Sequence, residues 1–147
     1  MSEPLYKHSY EYAVENNEIE KWRTNRKADK ECKAGIEKIL SERFDGMHLD
    51  KDIAVDLCKE YGIDRVGWVL ANTVMNQLWD GRFRQENKIW ANSYDVPTDK
   101  NERSYEYSVS SHPEIVNGLI NQYKKYCDSI CYTEDDEHEQ NEDGGMS

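Results

Sequence analysis

The chain has 147 residues, of which 37% are hydrophobic and 33% charged, and its 30 acids against 19 bases give a formal net charge of −11. That length holds one domain with a real core and excludes two comfortable ones, while the low apolar share sets a modest interior inside a heavily ionised surface. No apolar run approaches the roughly 20 residues that a membrane span needs, and the opening MSEPLYKHSYEY lacks the regions of a signal peptide, so the expected location is the cytoplasm.

The charge is unevenly placed. From Thr133 onward seven acids, among them Glu134, Asp135, Asp136 and Glu137, face no Lys or Arg, which leaves a body of 23 acids and 19 bases. A body at −4 is an ordinary ionised surface, which argues against a DNA mimic over the whole surface and leaves room for a local acidic patch. Residues 1–132 are therefore expected to form one helical domain, and 133–147, with neither periodicity nor apolar anchors, a disordered acidic tail. Ten tyrosines and four tryptophans supply much of the core volume that aliphatic residues do not.

In chain order, Tyr6, Tyr10, Ala13 and Val14 have helical spacing and predict a short first helix. The polar run Glu15-Asn16-Asn17-Glu18 then turns the chain into a long helix over about 18–43, with Ile19, Trp22, Ala28, Cys32, Ile36, Ile39, Leu40 and Phe44 as its stripe. On its other face Glu20 with Arg23 and Asp29 with Lys33 read as solvated pairs. Phe44 to Leu49 is a turn. A third helix follows with Asp50 as N-cap, Leu49, Ile53, Ala54, Leu57, Cys58 and Tyr61 inward, and Gly62 at its end.

The central element is predicted over 64–79, DRVGWVLANTVMNQLW, apolar around most of its circumference and so contacted from several sides. Asp64 is its expected N-cap and Gly81 its left-handed terminus. A fifth helix is placed over 85–92. Tyr105, Tyr107 and Val109 alternate with polar residues, which allows a short extended segment near 104–110. Ser111-His112-Pro113 starts a last helix with Ile115, Val116, Leu119, Ile120, Tyr123 and Cys127 inward. The predicted fold is thus mainly α, a single-domain bundle of about five to six helices around 64–79.

Chemistry is sparse. No glycine-rich phosphate loop, HExxH, GxSxG or CxxC pair is present, so no catalytic residue, metal or cofactor is assigned. Cys32, Cys58 and Cys127 read as reduced core thiols, and Cys127 with Cys131 lacks a second ligand pair. Two polar clusters remain. The first comprises Glu15, Asn16, Asn17, Glu18 and Arg23, with His8 one helix back and able to reach Glu15 or Glu18 in a helix hairpin. The second is Asp80-Gly81-Arg82 with Asn87, and His112 reads as a neutral capping group at a helix start.

These pieces resemble an uncharacterised domain family found on phages, plasmids and conjugative elements of Firmicutes. The resemblance rests on Tyr12 to Glu18 with Trp22-Arg23, Phe44 to Leu49, Arg65-Val66 with Val69 to Thr73, Asp80 to Phe83 with Asn87-Lys88 and Trp90-Ala91, and Ser111 to Pro113. Arg84 departs from it, standing where that family has a small hydroxyl residue. The resemblance implies a mobile-element setting, in which small acidic proteins inhibit host defence by binding a nuclease. The resulting expectation is an anti-CRISPR-like inhibitor that contacts a Cas effector through acids, Glu15, Glu18 and Glu134 to Glu137 foremost, without binding nucleic acid or membrane itself. The alternative is a small enzyme or ligand-binding domain that joins Asn16, Asn17 and Arg23 to Asp80, Arg82 and His112.

Overall fold

The computed structural model describes residues 5–43, 50, 52–94, 96–97 and 105–142, the last stretch by its side chains over 106–130. Among these residues six helices follow in order: α1 Tyr10–Glu15, α2 Ile19–Arg43, α3 Ile53–Tyr61, α4 Ile63–Met75, α5 Gln85–Asn92 and α6 Pro113–Glu142, with a 3-10 turn at Tyr105–Tyr107. Among the described residues there is no strand. The predicted turn at Phe44 to Leu49 lies outside them. The backbone of α6 continues past Thr133 to Glu142, whereas the side chains of Glu134, Asp135, Asp136 and Glu137 lie outside the described ones.

α4 is the centre. Every residue from Arg65 to Met75 is buried, because α2, α3, α5, α6 and the 3-10 turn all pack on it. An all-round apolar helix demands such enclosure, since each fully buried Val or Leu contributes about 1.5–3 kcal/mol only when every side is covered. α3 and α6 pack on each other as well as on α4, and Val116, Leu119, Ile120 and Tyr123 of α6 are buried as their spacing predicted.

Several boundaries differ from the sequence reading. α4 begins after Gly62, so Asp64 lies inside it, and it ends at Met75, after which Gln77 N–H donates to the Val74 carbonyl and Asp80 N–H to the Gln77 carbonyl. Gly81 is not left-handed; among the described glycines the one with positive φ is Gly62, at φ 94°, where it closes α3 by donating to the Cys58 carbonyl at 2.9 Å. Leu78 and Trp79 leave the core, and Trp79 is 79% exposed. Asp50 does not cap α3 but accepts from Arg43 Nε at 2.7 Å. Near 104–110 an isolated strand would have had no partner. Instead Tyr107 and Val109 are buried, and the backbone N–H of Val109 donates to Thr73 Oγ1 at 2.9 Å.

The inward face of α2 carries the largest surprise. Asn25, Asp29, Cys32, Ile36 and Leu40 are its buried residues, so Asp29 is not a surface partner of Lys33, and Lys33 pairs with Glu37. Polar Asn25 and Asp29 take the places that Trp22 and Ala28 were expected to hold.

Candidate functional site

A buried polar group begins the site. Arg65, in the first turn of α4, is 2% exposed, and its Nη1 donates to Asp29 Oδ1, to Asn25 Oδ1 at 2.9 Å and to the Asn25 carbonyl at 3.4 Å. Asn25 Nδ2 donates in turn to Asp29 Oδ2 at 3.2 Å. Desolvation pushes the Asp29 carboxyl up to about 6, against the downward pull of Arg65. Charges are retained inside a fold only when paired and hydrogen-bonded, and here the pair sets the rotation of α2 against α4.

Asn25 has a second duty. Its Oδ1 accepts from the backbone N–H of Tyr6 at 3.2 Å and its Nδ2 donates to the Tyr6 carbonyl at 3.3 Å. The amide thereby holds the segment before α1 along α2 as a strand neighbour would. Ser9 Oγ accepts from Tyr12 N–H at 3.0 Å and starts α1, and the chain reverses at Asn16 and Asn17. Asn16 Nδ2 donates to the Tyr12 carbonyl, and Asn17, at φ 58°, takes the left-handed conformation that asparagine tolerates. Glu18 N–H then donates to the Ala13 carbonyl at 2.7 Å.

Between this segment and α2 lies an open cleft of about 640 Å³, walled by Tyr6, His8, Tyr12, Glu18, Lys21 and Asn25, with Glu20 also on its lining. Tyr6 Oη donates to Glu18 Oε1 at 2.8 Å, and Lys21 Nζ stands 3.4 Å from Glu18 Oε2. The Tyr6 hydroxyl holds the Glu18 carboxyl below the usual range, with Lys21 and His8 assisting against desolvation. Partial burial and the same carboxylate push the Tyr6 phenol up to about 12. The imidazole of His8 stacks on Tyr12 at 4.0 Å between centroids and meets Tyr6 edge-on at 5.3 Å. Below, a smaller cavity of about 40 Å³ adjoins Tyr6, His8, Asn25 and the indole of Trp68.

The second cluster has another task. Arg82 donates to Asp80 through Nε at 3.0 Å and Nη2 at 2.8 Å, and its backbone N–H adds a third bond. These donors hold Asp80 down to about 2. Asn117 of α6 accepts from Arg84 N–H and Asn87 Nδ2 and donates to the Arg82 carbonyl at 3.0 Å. The turn is thus tied to α6. His112 Nδ1 accepts from Glu114 N–H at 3.2 Å, the position of a cap.

The structure brings Glu18 together with His8 and Tyr6 and places Glu15, exposed, at the end of α1. Asn16 and Asn17 shape the turn, and Arg23 reaches out to Glu20 at 3.1 Å on the surface. Asp80 and Arg82 bond to each other and not to that cluster. The residues that sequence reasoning missed are Tyr6, Tyr12, Glu20, Asn25, Asp29 and Arg65. The signal for three of them was present: Asn25 and Asp29 are in phase with Cys32, Ile36 and Leu40, and Arg65 is the one cation within the apolar run of α4.

A family model described as "Protein of unknown function (DUF3849)" matches residues 5–128. The chain is a DUF3849 protein. The match begins at the first wall of the cleft and takes in the whole buried network, while the acid-rich run from Glu134 lies beyond it. No curated protein and no solved structure matches this DUF3849 chain. Among the described residues no group of three or more His, Cys, Asp or Glu is placed to hold a metal ion, and no helix is long and apolar enough to cross a membrane.

Proposed function

We propose that this DUF3849 chain is an interaction protein that seats a basic protein partner against an acidic face, and that the partner is a nuclease of host defence, such as a Cas effector, met in the setting of a mobile genetic element. The observation that carries the reading is the cleft: an anchored carboxylate, Glu18, beside tyrosine and histidine rings, with Glu20 on the same lining. Carboxylates beside ring faces suit Lys and Arg side chains, and the basic channel that binds guide and target in such a nuclease presents many of them. The net charge of −11 adds long-range attraction. The resemblance to a family of mobile elements supports the setting.

The test is a DNA-cleavage assay with purified type II and type V Cas effectors, adding the protein before or after guide and target. Cleavage is expected to slow, and a variant with Glu15, Glu18 and Glu20 changed to Gln is expected to inhibit at least about tenfold less well, as the loss of one strong charge-assisted contact or more predicts. Full cleavage by every effector in the presence of folded protein would remove the nuclease reading.

A further inference from the structure

We infer that the cleft between residues 5–12 and α2 is a socket for one arginine side chain of a protein partner, its guanidinium held by Glu18 and flanked by the Tyr12–His8 ring pair. This rests on the reading of the chain as a module for basic partners and specifies how it grips them.

Four features of the cleft favour that occupant. Glu18 is pre-oriented: Oε1 accepts from Tyr6 Oη at 2.8 Å, and Tyr6 is itself fixed through its backbone by Asn25. Among the described residues its other oxygen meets Lys21 alone, at 3.4 Å, and that lysine side chain is 70% exposed. Such a surface pair is weak, so a guanidinium can replace the ammonium there with two parallel donors where lysine offers a point charge. The stacked Tyr12 and His8 rings line the same space, and planar guanidinium groups stack on ring faces where an ammonium does so less well. Glu20, paired with Arg23 across two side chains that are 84% and 62% exposed, adds negative charge to the lining. At about 640 Å³ the cleft has the size of an ordinary ligand site and holds a residue with its flanking backbone. An anionic ligand fits worse, because Lys21, the one Lys or Arg among the described residues of the lining, already faces Glu18, and two carboxylates line the walls.

The experiment follows amide shifts by NMR in the full chain on titration with the blocked peptide acetyl-Gly-Arg-Gly-amide, its citrulline counterpart and its lysine counterpart. Saturable shifts are expected at Tyr6, His8, Thr24 and Asn25, with citrulline binding about tenfold or more weaker, since it lacks the charge, and lysine in between. Glu18→Gln and Tyr6→Phe should each weaken the arginine peptide, the first by about tenfold, and the second tests the orienting hydroxyl while removing a single oxygen. Equal binding of arginine and citrulline peptides, or an unchanged affinity in both variants, overturns the socket. Shifts confined to acidic residues elsewhere also overturn it while leaving the wider charge-based reading standing. No shift anywhere, including with an oligo-arginine peptide, ends both.

Discussion

Removing either partner of a buried ion pair strands the other, and the two cases differ here because a carboxyl can take up a proton while a guanidinium cannot. Asp29→Ala leaves Arg65 charged beside Asn25 and is expected to cost about 3–5 kcal/mol at neutral pH. Arg65→Met should cost less, and its cost should shrink on acidification. Burial already raises the Asp29 carboxyl from 3.8 to about 6, so the folded chain binds that proton more tightly than the unfolded one. The associated stability is fully present below pH 3.8 and lost as pH rises through about 6. Urea midpoints for both variants and the parent, taken at about pH 5 and again at neutral pH, check this. Equal losses for the two variants at both pH values would contradict it. At this scale sequence reasoning misassigned Asp29 to solvent because Lys33 stands four residues on, a spacing that makes surface pairs on a helix. Its true partner is 36 residues away, and no local pattern carries that.

Helix α4 leaves no room for a side chain at Gly67. A Cβ there would overlap the hydroxyl oxygens of Tyr94, after α5, and Tyr123, on α6. Those rings have little room to retreat: their hydroxyls share a hydrogen bond at 2.8 Å, Tyr123 also donates to the Ile63 carbonyl at 2.8 Å, and Trp90 packs edge-on against both. Burial pushes the Tyr94 phenol up to about 12 and Tyr123 upward too, keeping both protonated as donors. Gly67→Ala is therefore expected to destabilise by about 1–3 kcal/mol, the usual cost of overpacking. Adding Tyr94→Phe removes one overlapping oxygen, so the double variant should lose less than the sum of the singles, a coupling readable from denaturant midpoints. Strict additivity would show that the rings yield freely. The positions of α3, α5 and α6 and the stripes of α3 and α6 were legible in advance, since apolar spacing dictates them, whereas α5 buries Asn87 and Ala91 and leaves Ile89 exposed. The end of α4 was not legible: Leu78 and Trp79 continue its apolar pattern, yet α4 ends at Met75, and the side chain of the next residue, Asn76, bonds Ser108, 32 residues on.

For the whole molecule, charge distribution is the feature that a partner meets first. If the acidic face steers a basic partner, raising salt from about 0.05 M to about 0.5 M should slow association markedly, because exposed charges are screened beyond a Debye length of about 10 Å at 0.1 M. The dissociation rate should respond less, since contacts inside a cleft are less screened than surface charges. Stopped-flow association kinetics against a Cas effector that the cleavage assay finds inhibited would measure both, and a salt-independent association rate would rule out steering. Composition, periodicity and turn residues determined on their own that the chain is helical, that its centre lies within 64–79, and that its acids outnumber its bases, because these are local or additive properties of the sequence. Only the tertiary structure decided that Asn25 and Asp29 turn inward to meet Arg65, that Asn25 thereby pins Tyr6 along α2, and that a cleft opens beside Glu18. Each depends on partners distant along the chain whose pairing is set by how α2 rotates against α4, a packing choice made by the burial of one ion pair.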